Sequence, residues 1–218
     1  MTNKNITIFA PHIDDEVIGV GGSIAKHKSL GNRINVIYFN SGRSLEEIEQ
    51  RESESKKVVD FLNIDDCLYL RENSITINDG VLDKVVQFLR KNRSDLIYAP
   101  NKGDGDSEHV TVSEIAIRSQ WMANNNKYLP HLKGKCNIKG VLLYEIHRPI
   151  QEVQYLEDIS DFVDIKRQAI QLYGSQLEVT NYAKGIIGLN QYRGAFFEVG
   201  EAAEAFKLFS CRDIFTKL

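Results

Sequence analysis

The 218-residue chain is 42% hydrophobic and 26% charged, with 15 glycines and 4 prolines, a make-up that suits one globular domain and excludes collagen-like, low-complexity and disordered classes. Its 27 basic and 30 acidic side chains leave a formal charge of −3, which excludes a broad electrostatic attraction to nucleic acid or an anionic membrane. Cys67, Cys136 and Cys211 are odd in number and far apart, so they form neither a CxxC metal clip nor a disulfide framework.

The first apolar run, residues 6–10, is β-branched and closed by Pro11, which predicts a buried strand; it is far too short for a signal segment or a membrane span, and the expected location is the cytoplasm. A helix over about 17–30 follows, ended by Gly31, and then a second strand over 34–40. An amphipathic helix is expected over about 45–62 and a short strand over 67–70. Val81, Val85, Phe88 and Leu89 recur at helical spacing, and residues 95–99 read as a strand stopped by Pro100. After a polar loop at 101–108 come a helix to about Asn124, a strong strand over 140–146 and a helix over about 159–172; residues 173–194 read as loop or short helix over the sheet end. No repeat and no Pro/Ser linker interrupts the series. The alternation predicts an α/β fold, a single Rossmann-like domain over 1–218 with a mostly parallel sheet and helices on both faces, so ligands belong at the carboxyl ends of the strands.

Polar residues concentrate at those ends. Pro11-His12-Ile13-Asp14-Asp15-Glu16 follows the first strand, and imidazole and carboxylate are suitable ligands for a divalent metal. Consecutive side chains diverge, so Asp14 and Asp15 are expected to do different work, one holding metal and the other facing water. Acids before a helix also serve as caps that complement its dipole, and that reading stays open on the first motif alone. The second loop, Asn101-Lys-Gly-Asp104-Gly-Asp106-Ser-Glu108-His109, tips the balance, because neighbouring parallel strands bring His109 within reach of His12 and Asp15. Gly19-Val-Gly21-Gly22 does not have dinucleotide-binding spacing, and its glycines are expected to allow close helix–sheet packing.

The two loops, with Gly21-Gly22-Ser23-Ile24-Ala25, Ser41-Gly42-Arg43 and Arg51-x-x-Glu54, resemble the LmbE/PIG-L family of zinc-dependent N-acetyl-sugar deacetylases. The resemblance covers about residues 5–115, and the stretch 200–206 is similar to a feature near the family's C-terminus. It implies that His12, Asp15 and His109 bind Zn2+, that Asp14 is the general base, and that an N-acetylated amino sugar or sugar conjugate is cut to acetate and a free amine. Two positions depart from the family: Ile13 replaces a proline, and Asp106 stands where a catalytic histidine is common. Asp106 is kept as a catalytic candidate at that position, but a carboxylate cannot donate unless protonated, so His147 and Arg148 are the candidate donors for the oxyanion; an ordinary loop histidine is the competing reading of His147. Arg43 and Arg51 are substrate-binding candidates, against a solvated arginine for the first and a surface ion pair with Glu54 for the second.

Glu16 is expected to orient His12 or cap the helix, and His27 and His131 to lie on the surface. Tyr173, Gln176, Tyr192 and Arg193 fall where a lid could form, though aromatic residues there also suit packing. The implied partner is a small N-acetylated sugar, with no nucleic acid and no membrane, and homo-oligomer formation is left open. The alternatives carried with this reading are a catalytically silent carbohydrate- or nucleotide-sugar-binding relative and, from the two-His-one-Asp set alone, a non-haem iron oxygenase.

Overall fold

The computed structural model describes residues 3–130, 132, 134–177 and 181–211, without the side chains of Tyr182 and Cys211. Strands β1 (Asn5–His12), β2 (Arg33–Asn40), β3 (Asp66–Tyr69), β4 (Leu96–Pro100) and β5 (Gly140–Tyr144) pair in parallel; β6 (Tyr155–Asp158) and β7 (Ala203–Cys211) add antiparallel strands. The sheet order is β3-β2-β1-β4-β5-β7-β6, so the direction of winding reverses between β1 and β4. That reversal opens a crevice at the carboxyl ends of these two strands, where both polar loops emerge.

Alternation along the strands divides the apolar side chains between two cores. Ile6, Ile8, Val36, Tyr38 and Tyr98 face one layer, and Phe9, Ile37, Phe39, Ile97 and Ala99 face the other. The first layer is covered by α1 (Asp15–Ser29), α2 (Leu45–Phe61), α5 (Val163–Gln171) and α7 (Tyr182–Phe196); the second by α3 (Asp79–Lys91) and α4 (Ser107–Asn124). A single helical turn, α6 (Gly174–Leu177), follows α5.

Helix α1 is bent at Val20, whose φ and ψ of −136° and 23° leave the helical region. The bend frees backbone donors, and Glu204 of β7 takes them: its two oxygens accept from the N–H groups of Gly22 and Ser23 at 2.9 Å each. Lys166 of α5 reaches the same carboxylate at 2.7 Å. Close packing also explains two of the glycines in α1. A Cβ at Gly19 would lie 2.2 Å from the Tyr144 ring, and one at Gly22 would lie 2.6 Å from Ile159.

The parallel half follows the expected order. The C-terminal third departs from it, because 182–196 forms a full helix where loop or short helix is predicted. The inward face of α7 carries Ile186, Ile187, Asn190 and Arg193, so half of these side chains are polar and the apolar repeat that reveals a helix is absent. Strand β7 escapes detection for a related reason, since Glu204, 1% exposed, breaks its hydrophobic run.

Candidate metal centre

His12 ends β1, and the chain turns sharply into α1 through Asp14, whose φ of +122° is a conformation that L residues rarely adopt. Such a backbone costs roughly 1–3 kcal/mol and persists only when its surroundings hold it. Here Glu16 accepts from the Asp14 N–H at 3.2 Å and is itself anchored by the Tyr173 hydroxyl at 2.5 Å. Asp14 sits in the N-cap position but makes no side-chain cap, which leaves its carboxylate directed to the crevice. Glu16 thus holds Asp14 rather than His12.

Three donor atoms converge beside it. His12 Nδ1 lies 3.2 Å from His109 Nε2 and 3.3 Å from Asp15 Oδ2, and His109 Nε2 lies 3.4 Å from the same oxygen. Donors bound at about 2.0–2.1 Å to one tetrahedral ion stand about 3.3–3.4 Å apart, so these three edges fit one face of such a tetrahedron. Both imidazoles have a carboxylate on the far side. Glu108 Oε2 is 2.8 Å from His12 Nε2, and Asp104 Oδ1 is 3.2 Å from His109 Nδ1, although off the line of a good hydrogen bond. A carboxylate behind the ring fixes tautomer and orientation and raises the basicity of the ligating nitrogen.

The electrostatics favour positive charge at this point. Burial alone would lower His12, but hydrogen bonds and charge from Asp15 and Glu108 outweigh it and raise the imidazole to about 9. His109 is likewise raised, against its burial, by Asp15 and Asp104. Asp14 is pushed well up by burial and then by the charges of Asp15 and Glu16, whereas Asp15 is held low, against its burial, by the two imidazoles. Neighbouring acids with opposite shifts are suited to different tasks.

Asp104 organises the second loop. It accepts from the N–H groups of Asp106 at 3.1 Å and His147 at 3.0 Å, and its Oδ1 lies 3.4 Å from His147 Nδ1. The His147 ring stacks on His109 with centroids 4.8 Å apart. Asp104, His109 and His147 also offer atoms close enough to share a cation, but Asp104 is occupied by these backbone donors and does not line the crevice.

The crevice, about 380 Å³, is lined by His12, Asp14, Asp15, Glu108 and His147 on one side and by Arg43, Glu47, Arg51 and Gln176 on the other. Asp106 is not brought there: its carboxylate accepts from Glu108 N–H at 2.7 Å and caps α4. Arg148 packs against Gly105 outside the lining.

The expected Arg51–Glu54 pair does not form. Arg51 pairs with Glu47 at 2.6 Å, and Glu54 is buried and accepts from Ser175 N–H and Oγ at 3.0 and 2.6 Å, holding the turn that presents Gln176. His27 is not on the surface; it is 5% exposed, with Tyr98 and Asn32 on its two nitrogens. Tyr192 is exposed against Phe196, and Arg193 is buried, clamping Glu145 and the Ile150 carbonyl at 2.5 and 2.7 Å. His131 lies outside the described residues. Sequence reasoning missed Glu108 and Asp104 as supports, although each carboxylate stands within five residues of His109.

A parallel α/β sheet with a crevice at its winding reversal, and two imidazoles and a carboxylate converging inside it, defines a Rossmann-like protein with a candidate single-metal site. The family model for PIG-L, GlcNAc-PI de-N-acetylase, matches residues 7–119, and the chain belongs to that family. It is 26% identical over 198 residues to a diacetylchitobiose deacetylase from Thermococcus kodakarensis, covering 79% of this chain and 70% of that one. Two solved structures share the fold: the conserved protein TT1542 from Thermus thermophilus, with TM-score 0.84, 23% identity and 94% of both chains covered, and an N,N'-diacetylchitobiose deacetylase from Pyrococcus horikoshii, with TM-score 0.83, 21% identity and 95% and 84% covered. A third, the hydratase GalB from Pseudomonas putida, has TM-score 0.84 at 17% identity over 96% and 97% of the two chains.

Proposed function

We propose that the whole chain is one catalytic domain, a zinc-dependent hydrolase that removes an N-acetyl group from an amino sugar or sugar conjugate and works in the cytoplasm. The observation that carries this reading is the His12–Asp15–His109 triangle, with edges of 3.2–3.4 Å, beside the uncapped Asp14 carboxylate. Membership of the PIG-L family and the likeness to a diacetylchitobiose deacetylase support the reaction class. Among the described residues no helix is long and apolar enough to cross a membrane.

A zinc ion held by His12, Asp15 and His109 would polarise the amide carbonyl and acidify water. Asp14 takes a proton from the attacking water as its oxygen bonds to the carbonyl carbon, and returns that proton to the nitrogen as the C–N bond breaks. Acetate and an amine leave. Glu108 and Asp104 hold the two imidazoles in register, and His147, fixed through Asp104, donates to the carbonyl oxygen. Asp106 contributes by capping α4, which keeps Glu108 and His109 aimed.

That capping role favours one competing reading, a silent relative that binds sugar without cutting it, because no histidine stands at position 106. Metal analysis coupled to an acetate-release screen over N-acetylated sugars separates the two. Stoichiometric zinc with turnover that His109→Ala abolishes is expected. Zinc bound with no turnover over the panel favours the silent relative, and a zinc-free active protein sinks the mechanism.

A further inference from the structure

Beside the Asp14 carboxylate the crevice adjoins a small niche that the proposed reaction leaves without a task. The niche shares Asp14, Ile18 and Gln176 with the crevice and is closed by Val17 of α1, Ile170 of α5, and Tyr173 and Leu177 from the turn that runs through α6. It measures about 10 Å³, the room of one small group. Val17, Ile18, Ile170 and Tyr173 are at most 3% exposed, and the Tyr173 hydroxyl is spent on Glu16. Water entering there would lack the polar partners it needs, whereas an apolar group of the same size would not.

A second observation shows how the far wall of the niche is held. The single turn of α6 has too few internal hydrogen bonds to fix itself, and it is latched to α2 instead. Buried Glu54, which has no ion pair among the described residues, accepts from Ser175 N–H at 3.0 Å and from Ser175 Oγ at 2.6 Å. The same Oγ accepts from Gln176 Nε2 at 3.2 Å. A carboxylate buried without a cation is costly, and this one spends its oxygens on the turn that carries Gln176 and Leu177.

We infer that this niche receives the tail of the N-acyl group and stops it at acetyl, with Ile170 and Leu177 as the stop and Glu54, acting through Ser175, as the positioning residue that holds the stop in place. This rests on the de-N-acetylating reading for turnover but not for binding. A propionyl group would bring one more methylene into a space already filled, and extra methylenes in a well-packed site force side chains off their rotamers. Discrimination by one methylene in an apolar pocket is about 10–200-fold.

The test compares the methyl glucosaminides bearing N-acetyl, N-propionyl and N-butyryl groups. Release of the free amine gives kcat/KM, and titration followed by NMR gives Kd for the same compounds. In the zinc-loaded protein the acetyl compound should be favoured over the propionyl one by about 10–200-fold, and over the butyryl one by more. Leu177→Ala should lower that ratio about tenfold, and Ile170→Val, which keeps the core nearly filled, should move it the same way by less. Glu54→Ala should lower the ratio too, Glu54→Gln, which keeps an acceptor for Ser175 N–H, should restore part of it, and Glu49→Gln, exposed on the same helix, should leave it unchanged. A wild-type protein that takes acetyl and propionyl alike overturns the inference, and so does a ratio that neither Leu177→Ala nor Ile170→Val moves. A Glu54→Ala variant that slows every compound alike overturns the positioning role of Glu54 and leaves it a support of the fold. If nothing is turned over, the hydrolytic reading fails and the Kd values still decide: an acetyl preference of about tenfold that Leu177→Ala removes upholds the niche, and equal Kd values remove it.

Discussion

Helix α1 meets buried acids at its start and at its bend, and the two are treated in opposite ways. At the bend Glu204 is matched by Lys166 and by two backbone N–H groups. At the start Asp14, Asp15 and Glu16 lie side by side, 7, 3 and 0% exposed, with no lysine or arginine in ion-pair contact among the described residues and with positive φ at Asp14. The first arrangement holds the helix against the sheet. The second places like charges where they repel, and a fold tolerates that when the charge is completed by something bound. The same helix therefore separates an acid that serves the structure from acids that serve the chemistry.

Replacing Asp14 by Asn breaks the comparison most sharply, because it removes charge at the functional end while asparagine tolerates positive φ. Acetate release should fall about 10²–10⁴-fold, the range for a lost general base, while the denaturation midpoint holds or rises as the repulsion with Asp15 and Glu16 is relieved. A stability loss together with full activity would reverse the assignment. At the bend the expectation is inverted. Lys166→Met leaves Glu204 buried without its cation and should cost about 3–5 kcal/mol by urea unfolding. Zinc content per folded molecule should stay the same, and a midpoint that does not move would show that the two N–H groups satisfy Glu204 unaided.

Legibility in the sequence follows the same division. The parallel half was readable because its strands are largely apolar runs and its elements are punctuated by Gly31 after the first helix and Pro100 at the end of β4. His12, Asp14, Asp15 and His109 were readable because ligand types crowd the ends of strands. Residues 182–211 were not, since their inward faces carry Asn190, Arg193 and Glu204, polar groups whose partners come from distant segments such as Glu145, Lys166 and the bend of α1. No local pattern announces such a pairing. The roles of Glu54 and Asp106 were hidden for the same reason: an acid on a helix looks alike whether it faces water, caps a turn or lines a site.

His27 sharpens the comparison with the smallest effect, because it titrates at the structural end of α1, away from the metal triangle. Burial, with Lys4 and Lys26 adding like charge, pulls its imidazole down to about 4, and only Glu204 opposes. The contacts agree. Asn32 donates an amide N–H to Nδ1 across 3.2 Å, so Nε2 carries the proton and faces the Tyr98 hydroxyl at 2.8 Å. Protonating Nδ1 would set two donors against each other. Since the folded value lies below the unfolded one of about 6.5, the unfolded chain binds the extra proton between these values, and stability rises with pH through that window. The contribution is complete above about 6.5 and lost towards about 4, with an upper bound of roughly 3 kcal/mol from the size of the shift. His27→Gln should flatten the urea midpoint against pH between 4 and 6.5 relative to the parent. If the slope persists, the acid sensitivity belongs to the carboxylates at the start of α1, and the functional end limits stability after all.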